Sequence, residues 1–286
     1  MKITQKKVAI VTGSSSGIGF QTALLLARNG FSTYASMRNI DKSKSITEIA
    51  KEERLPLQAI QLDVNDDVSV TNAIDKIVED GKSIDVLVNN AGYGLFGALE
   101  DLSIEEIKAQ LETNFFGAIR VTQAVLPSMR NQNGGGTIVN ISSVGGLVGI
   151  PILSAYNSTK FALEGLSESM SHELEPFGIR VVLIEPGFIK TNIMNSSVLA
   201  KKASDQKSPY YSLTQRIESY FRSMMDNPGS SLPEEVAQVI LNAVTSEDTQ
   251  LRFTAGNDAS AIVHAKRNMS ELDFTNLIKQ QLMSGS

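Results

Sequence analysis

"KVAIVTGSSSGIG", Lys7 to Gly19, carries an apolar run from Val8 to Val11 straight into a turn with glycine at positions 13, 17 and 19. The β-branched run reads as a strand, and the pattern from Ile18 to Asn29, closed by Gly30, reads as a helix. The glycines therefore sit in a strand-to-helix turn, where backbone amides at the helix N-terminus can hold a pyrophosphate. Gly13, Gly17 and Gly19 suit such a turn because glycine permits a tight bend, close phosphate approach and close packing of helix on sheet. Ser15, Ser16 and Ile18 lie between them and are candidates for the same contact.

The same letters also fit Gly-x-Ser-x-Gly, a hydrolase nucleophile elbow with Ser15 at its centre. That alternative needs a histidine base late in the chain. The two histidines are His172, inside an amphipathic helical pattern, and His264, in the tail, and no His-Gly-Gly segment precedes the turn to form an oxyanion hole.

Outward from this turn, short apolar runs alternate with helical patterns. "FSTYASM", "LQAIQLDV", "IDVLVNN", "GTIVNIS", "IRVVLIEPG" and "LRFTAG" follow "KVAIVT", with helices between them. The expected helices include Asp66 to Asp80, Ile104 to Met129, one around Tyr156, and Pro233 to Val244. Continuous apolar runs are typical of strands buried on both faces of a parallel sheet. The expectation is an α/β, doubly wound Rossmann fold: a seven-stranded parallel sheet flanked by helices on both faces. No Pro/Gly/Ser-rich linker divides it, so residues 1–286 read as a single domain. The polar stretch Asn192 to Ser231 reads as a mobile substrate-loop insertion, and the tail after Ala259 as a terminal helix.

With 42% hydrophobic and 20% charged residues, the chain can bury a large core. Its net charge of -5 and dispersed Lys and Arg argue against a nucleic-acid partner. The absence of cysteine rules out disulfides and thiolate metal sites, and the expected compartment is cytoplasmic. No apolar stretch is long enough for a membrane span, and the run after the basic start is too short for a signal peptide.

In "SAYNSTKFALEG", Ser154 to Gly165, Tyr156 and Lys160 stand four residues apart on a helical pattern and so share one face. A free tyrosine has a pKa of about 10, and a nearby ammonium lowers it toward the range of a useful acid or base. Ser143 ends the fifth strand, where ligand-facing groups of an open α/β sheet collect. At the end of the second strand, "ASMRN" puts Met37 where an NAD-binding fold carries an acid, and Arg38 follows. A guanidinium can pair with a 2'-phosphate, so NADP(H) is favoured over NAD(H); otherwise Arg38 is a solvated loop charge.

Together these pieces closely resemble the short-chain dehydrogenase/reductase family. The matching segments are Thr12 to Gly19, Asp63 and Val64, "NNAG" at Asn89 to Gly92, and Asn114 in "TNFFG", followed by Ser143, Tyr156 with Lys160, and "PGFIKT" at Pro186 to Thr191. They run in order from about Lys7 to Gly256. The resemblance implies that Tyr156 passes a proton to or from the substrate oxygen, that Lys160 tunes it and binds the nicotinamide ribose, and that Ser143 holds the substrate oxygen. It implies a water relay through Asn114, whose alternative is a helix-interior amide bonding backbone. Asp63 is expected at the adenine, or else as a helix cap, and Asn90 beside the cofactor. Thr191 is expected on the carboxamide, with Ile189 contributing backbone. Val64, Ala91, Gly92, Pro186 and Gly187 complete the cofactor's surroundings.

The implied reaction interconverts a secondary alcohol and a ketone or aldehyde, with no metal, in a homodimer or homotetramer paired through the two long helices. "YASMRN" and "NNAGYGLFGALE" look similar to the steroid and retinol dehydrogenase branches, which suggests that the small-molecule alcohol or carbonyl substrate is hydrophobic. Apolar groups expected at the pocket include Tyr93 to Gly97, Gly145 to Leu153, Phe188, Met194, Leu199, Tyr210, Tyr211 and Phe221. A nucleotide-sensing or scaffold protein of the same fold is the competing reading; it would need the glycine turn but not Ser143, Tyr156 and Lys160.

Overall fold

The first strand, Val8–Val11 (β1), is buried at every residue because successive side chains enter two different layers. Ala9 and Val11 pack with the helix Gly17–Arg28 (α1), while Val8 and Ile10 face the opposite layer. This two-sided burial is why the strand reads as an unbroken apolar run. The computed structural model describes residues 6–79, 83–132, 134–191, 197–227 and 230–283.

The chain continues through Ser32–Met37 (β2), Lys44–Glu52 (α2), Leu57–Gln61 (β3), Asp67–Glu79 (α3), Val86–Asn89 (β4) and Leu95–Phe96 (β5). Ile104–Leu111 (α4) and Gly117–Arg130 (α5) lead to Gly136–Ile141 (β6), Ser154–Leu174 (α6) and Ile179–Pro186 (β7). Val198–Leu199 (β8), Tyr211–Asp226 (α7), Pro233–Thr245 (α8) and Arg252–Ala255 (β9) precede two terminal helices, Asn257–Asn268 (α9) and Glu271–Met283 (α10). The tail thus holds two helices rather than the one expected; Met269 and Ser270 break the run.

The main sheet has seven strands in the order β3-β2-β1-β4-β6-β7-β9, all paired in parallel. One face is covered by α1, α2 and α8, and the other by α3, α5 and α6. The strand order reverses between β1 and β4, so a crevice opens there at the carboxyl ends of the strands. Among the described residues, no helix is long and apolar enough to cross a membrane.

The expected single helix from Ile104 to Met129 is interrupted. It starts with a capping box, in which Ser103 Oγ accepts from Glu106 N at 3.2 Å and Glu106 Oε2 accepts from Ser103 N at 2.8 Å. Between α4 and α5, Glu112–Phe116 forms a π turn. Tertiary contacts account for it: Asn114 is anchored on the Tyr93 backbone, and Gly117 lets α5 lie against Val64, where an added Cβ would stand 2.8 Å from Val64 Cγ2. Apolar periodicity does not register one extra residue in a turn.

The segment expected as a mobile insertion is built into the fold where it is described. β8 pairs in parallel with β5 as a small second sheet, and α7 buries Ile217 and Phe221 against Phe96, Ile152 and Leu153. Residues 192–196, which include Met194, lie outside the described residues.

A chain of buried amides ties the sheet to its helices below the crevice. Asn89 Nδ2 donates to Thr122 Oγ1 at 3.0 Å and to Asn140 Oδ1 at 2.9 Å. Asn140 Nδ2 in turn donates to Ser167 Oγ at 2.8 Å. Replacing Asn140 with leucine leaves a buried donor and acceptor without partners, which costs about 2–3 kcal/mol. Chemical denaturation of Asn140→Leu should show a midpoint lowered accordingly, with the slope unchanged.

Candidate active site

The crevice between β1 and β4 is closed at its base by hydrogen bonds that only small groups permit. Asn90 Nδ2 donates to Thr12 O at 2.8 Å and to Gly13 O at 3.2 Å, while Thr12 Oγ1 accepts from the amides of Asn90 and Ala91. Gly13 has φ +68°, and a Cβ there would lie 2.8 Å from Ala91 Cα. At Gly19 a Cβ would overlap the Asn90 amide and stand 2.6 Å from Gly13 O. Gly13 and Gly17 line the cleft with Ser15, Ser16 and Ile18, whereas Gly19 lies behind its wall. Ser16, at the N-cap of α1, makes no capping bond with its side chain. First-turn amides of a helix have no intrahelical acceptor, so the head of α1 has donors available for an anion.

Beyond β6, Ser143 is extended, and its Oγ accepts from Gly145 N at 3.0 Å. That leaves its hydroxyl hydrogen for another acceptor. Tyr156 and Lys160 stand one turn apart in α6 and line the same cleft as Ser143. Burial pushes the Tyr156 phenol above its ordinary value, and a hydrogen bond with Ser143 works against the rise. Burial takes the Lys160 ammonium down to about 8, with the Glu164 carboxylate pulling the other way. The expected acidification of Tyr156 by Lys160 does not appear in the free protein. Lys160 Nζ instead donates to Ile141 O at 2.7 Å and stands 5.7 Å from the centre of the phenol ring.

Asn114 is buried behind the cleft wall, with both ends of its amide engaged. Oδ1 accepts from Tyr93 N at 3.0 Å, and Nδ2 donates to Tyr93 O at 2.9 Å and Thr159 Oγ1 at 3.3 Å. These are the bonds of a backbone clamp, the alternative weighed for this residue.

At the far end of the cleft, Asp63 Oδ1 accepts from Asn65 N at 3.0 Å, and α3 is capped by Asp66, whose Oδ1 accepts from Ser69 N at 2.9 Å. The capping role considered for Asp63 therefore belongs to Asp66. Arg38 is exposed at the cleft edge beside Met37, and its guanidinium has no hydrogen-bond or ion-pair partner among the described residues. Val64, Ala91 and Gly92 also line the cleft, as do Asn65 and, from the π turn, Glu112 and Thr113. Asn65, Glu112 and Thr113 escaped the sequence reading, the last two because nothing in a helical pattern marks a residue that a π turn rotates toward the cleft.

Pro186, Gly187, Ile189 and Thr191 form the opposite wall after β7. The loop is held by Asp258 of α9, whose Oδ2 accepts from Phe188 N at 2.6 Å and whose carboxylate occupies the place of a Gly187 side chain. Above it the cleft is apolar. Phe188 meets Phe221 edge-on at 4.9 Å, Phe221 meets Phe96 at 5.7 Å, and Ile150 and Leu153 complete the wall. Leu199 and Tyr210 pack behind this cluster, and Tyr210 donates its hydroxyl to Glu100 Oε2 at 2.9 Å. Tyr211 is not among the lining residues.

The whole cleft is about 790 Å³. No histidine lines it, so Ser15 has no imidazole base among the described lining residues. Nor do the described residues contain a cluster of three metal-ligating side chains.

Residues 7–202 match the short chain dehydrogenase family model, and the chain belongs to that family. It is 39% identical to an uncharacterized oxidoreductase, YusZ, of Bacillus subtilis over 98% of this chain and 99% of that one. It is 37% identical to human 17-beta-hydroxysteroid dehydrogenase type 1 over 87% of this chain and 77% of that one. Among solved structures, a short-chain dehydrogenase from Streptomyces avermitilis superposes with a TM-score of 0.81 at 31% identity, covering 98% of each chain. The protein is thus an oxidoreductase of this family with its Rossmann-like fold.

The glycine turn fits a dinucleotide because its two closest backbone approaches exclude a Cβ. In Gly19→Ala the methyl group has to displace Asn90, so calorimetric titration with NADPH should show binding at least about tenfold weaker.

Proposed function

We propose that the protein is an NADP(H)-dependent oxidoreductase that interconverts a hydrophobic secondary alcohol and its ketone or aldehyde, with Tyr156 as the acid–base group. The observation that carries this reading is the convergence of Ser143, Tyr156 and Lys160 on one cleft whose other end is the glycine turn. A bound nicotinamide dinucleotide would supply or accept the hydride. The chain's own residues would do the rest. Gly13 to Ile18 would hold the pyrophosphate, Asp63 and Val64 the adenine side, and Pro186 to Thr191 the nicotinamide side.

A phenol held above its ordinary value stays protonated at neutral pH, so Tyr156 is ready to donate to a carbonyl oxygen. Ser143, hydrogen-bonded to Tyr156 and steadied by Gly145 N, would turn its hydroxyl to that same oxygen as charge develops on it. Lys160, steadied by Ile141 O, would bind the ribose hydroxyls and return a proton to Tyr156. Asn114, clamped to Tyr93, would act on this set by fixing the backbone beside it.

The apolar wall of Phe96, Leu153, Phe188 and Phe221 supports a bulky hydrophobic substrate, and a named steroid dehydrogenase among the relatives points the same way. The partnerless Arg38 beside Met37 supports NADP(H) over NAD(H). We read the chain as one Rossmann-type domain that works in a homodimer or homotetramer. Phe116 and Phe161 on the outer faces of the two long helical segments, each 47% exposed, support that pairing.

Assays of NADPH oxidation with steroid and long-chain ketones should show turnover that Tyr156→Phe lowers by about 10²- to 10⁴-fold while NADPH affinity is retained. Binding without turnover in the unaltered protein would favour the sensor reading instead. Arg38→Glu should lower the preference for NADPH over NADH, measured as a ratio of kcat/KM, by about tenfold or more, because it replaces a charge-assisted contact with a repulsion.

A further inference from the structure

Behind Lys160, and outside the reaction set described above, lies a buried cluster of charge. Glu164 of α6 is one helical turn beyond Lys160 and is 5% exposed. Glu185, near the end of β7, is 1% exposed. By alternation it shares the face of Ile179 and Val181, the face that α6 covers. Arg252 of β9 stands between the two carboxylates. Its Nε is 3.0 Å from Glu164 Oε2 and 3.6 Å from Glu185 Oε1, and a terminal nitrogen reaches the exposed Glu168 at 3.0 Å.

Buried polar atoms ordinarily have hydrogen-bond partners, yet here four within one small region have no hydrogen bond: both oxygens of Glu185, Oε1 of Glu164 and Oγ of Ser142. One guanidinium therefore serves two buried carboxylates and cannot fully compensate both. Glu185 bears the consequence: burial first, and then the Glu164 charge, push its carboxyl up to about 7, against the pull of Arg252 and of Arg267 in α9.

We propose that Glu185, by competing with Glu164 for the Arg252 guanidinium, sets how firmly Lys160 holds its ammonium proton. Glu185 is then a positioning residue for the proton-transfer pair. The inference rests on the reading of Tyr156 and Lys160 given above. When Glu185 carries a proton, Arg252 neutralises Glu164, and little negative charge reaches Lys160. When that proton leaves to solvent past Arg252 and Glu168, Glu185 draws on Arg252, and the Glu164 charge is released to favour the ammonium.

The charged groups around the cluster are accounted for by element. The α6 helix contributes Lys160, Glu164 and Glu168, β9 contributes Arg252, and α9 contributes Arg267, while β6 has no charged residue. Glu234 and Glu235 of α8 lie in that helix's exposed first turn.

The sign follows from the charge. Ionised Glu185 holds Lys160 protonated to higher pH, and a neutral amide in its place cannot. Glu185→Gln and Glu164→Gln should each move the alkaline limb of the kcat/KM profile to lower pH by roughly half to one unit, with near-normal values below the limb. A merely structural role would lower activity evenly and leave the limb in place.

Independently of turnover, carboxyl NMR of protein labelled with ¹³C at glutamate Cδ should show one midpoint between about 6 and 8. That signal should be absent from Glu185→Asp, which keeps the charge and serves if the amide variants do not fold. An unmoved limb in an active enzyme, or a Glu185 signal already fully ionised at about pH 5, overturns the proposal and leaves the proposed reaction standing. Absence of turnover in the unaltered protein would remove the reaction, and the carboxyl titration would still decide how Glu185 behaves.

Discussion

Everything at the site depends on how closely two backbones approach at the point where the strand order reverses. The Asn90 amide reaches across from β4 to the carbonyls of Thr12 and Gly13, and Thr12 returns two bonds through its hydroxyl. No side chain larger than hydrogen fits at Gly13 or Gly19 while those bonds stand. The consequence is a fixed opening over the head of α1, with unsatisfied amides at its edge. A preorganised anion site of this kind requires no rearrangement on binding.

From that opening the cleft changes character along its length. Charged and polar groups, Asp63 and Arg38 among them, stand at one end. Ser143, Tyr156 and Lys160 occupy the middle, and aromatic residues from three separate elements close the other end. This gradient suits a ligand that is charged at one end and meets an apolar molecule at the other. The segment after β7 serves both parts, since Asp258 holds its backbone while Phe188 turns into the aromatic wall.

Buried charge surrounds the central group in an uneven way. Lys160 is desolvated and anchored to a carbonyl, and beyond it two carboxylates compete for one arginine. Desolvation magnifies each of these interactions, so a change of charge at Glu185 reaches Lys160 by way of Arg252 and Glu164, one helical turn from the lysine. The expectation that a nearby lysine acidifies the tyrosine omitted this desolvation, which raises the Tyr156 phenol against the pull of its hydrogen bond with Ser143.

Sequence by itself determined the layered α/β plan, the glycine turn and the grouping of Ser143, Tyr156 and Lys160. Each is written in local spacing: a period of two hidden by two-sided burial, a glycine wherever a Cβ cannot stand, and an i to i+4 step on one helix. Only the tertiary structure decided the π turn at Asn114, the capping of α3 by Asp66 rather than Asp63, the packing of α7 into the substrate wall and the sharing of Arg252. In each of these the partner lies on another element or competes with a neighbour for the same bond: Asn114 with Tyr93, Phe221 with Phe96, Glu164 with Glu185. Contacts between residues far apart in the chain leave no period in the sequence, and so they become visible only when the fold brings them together.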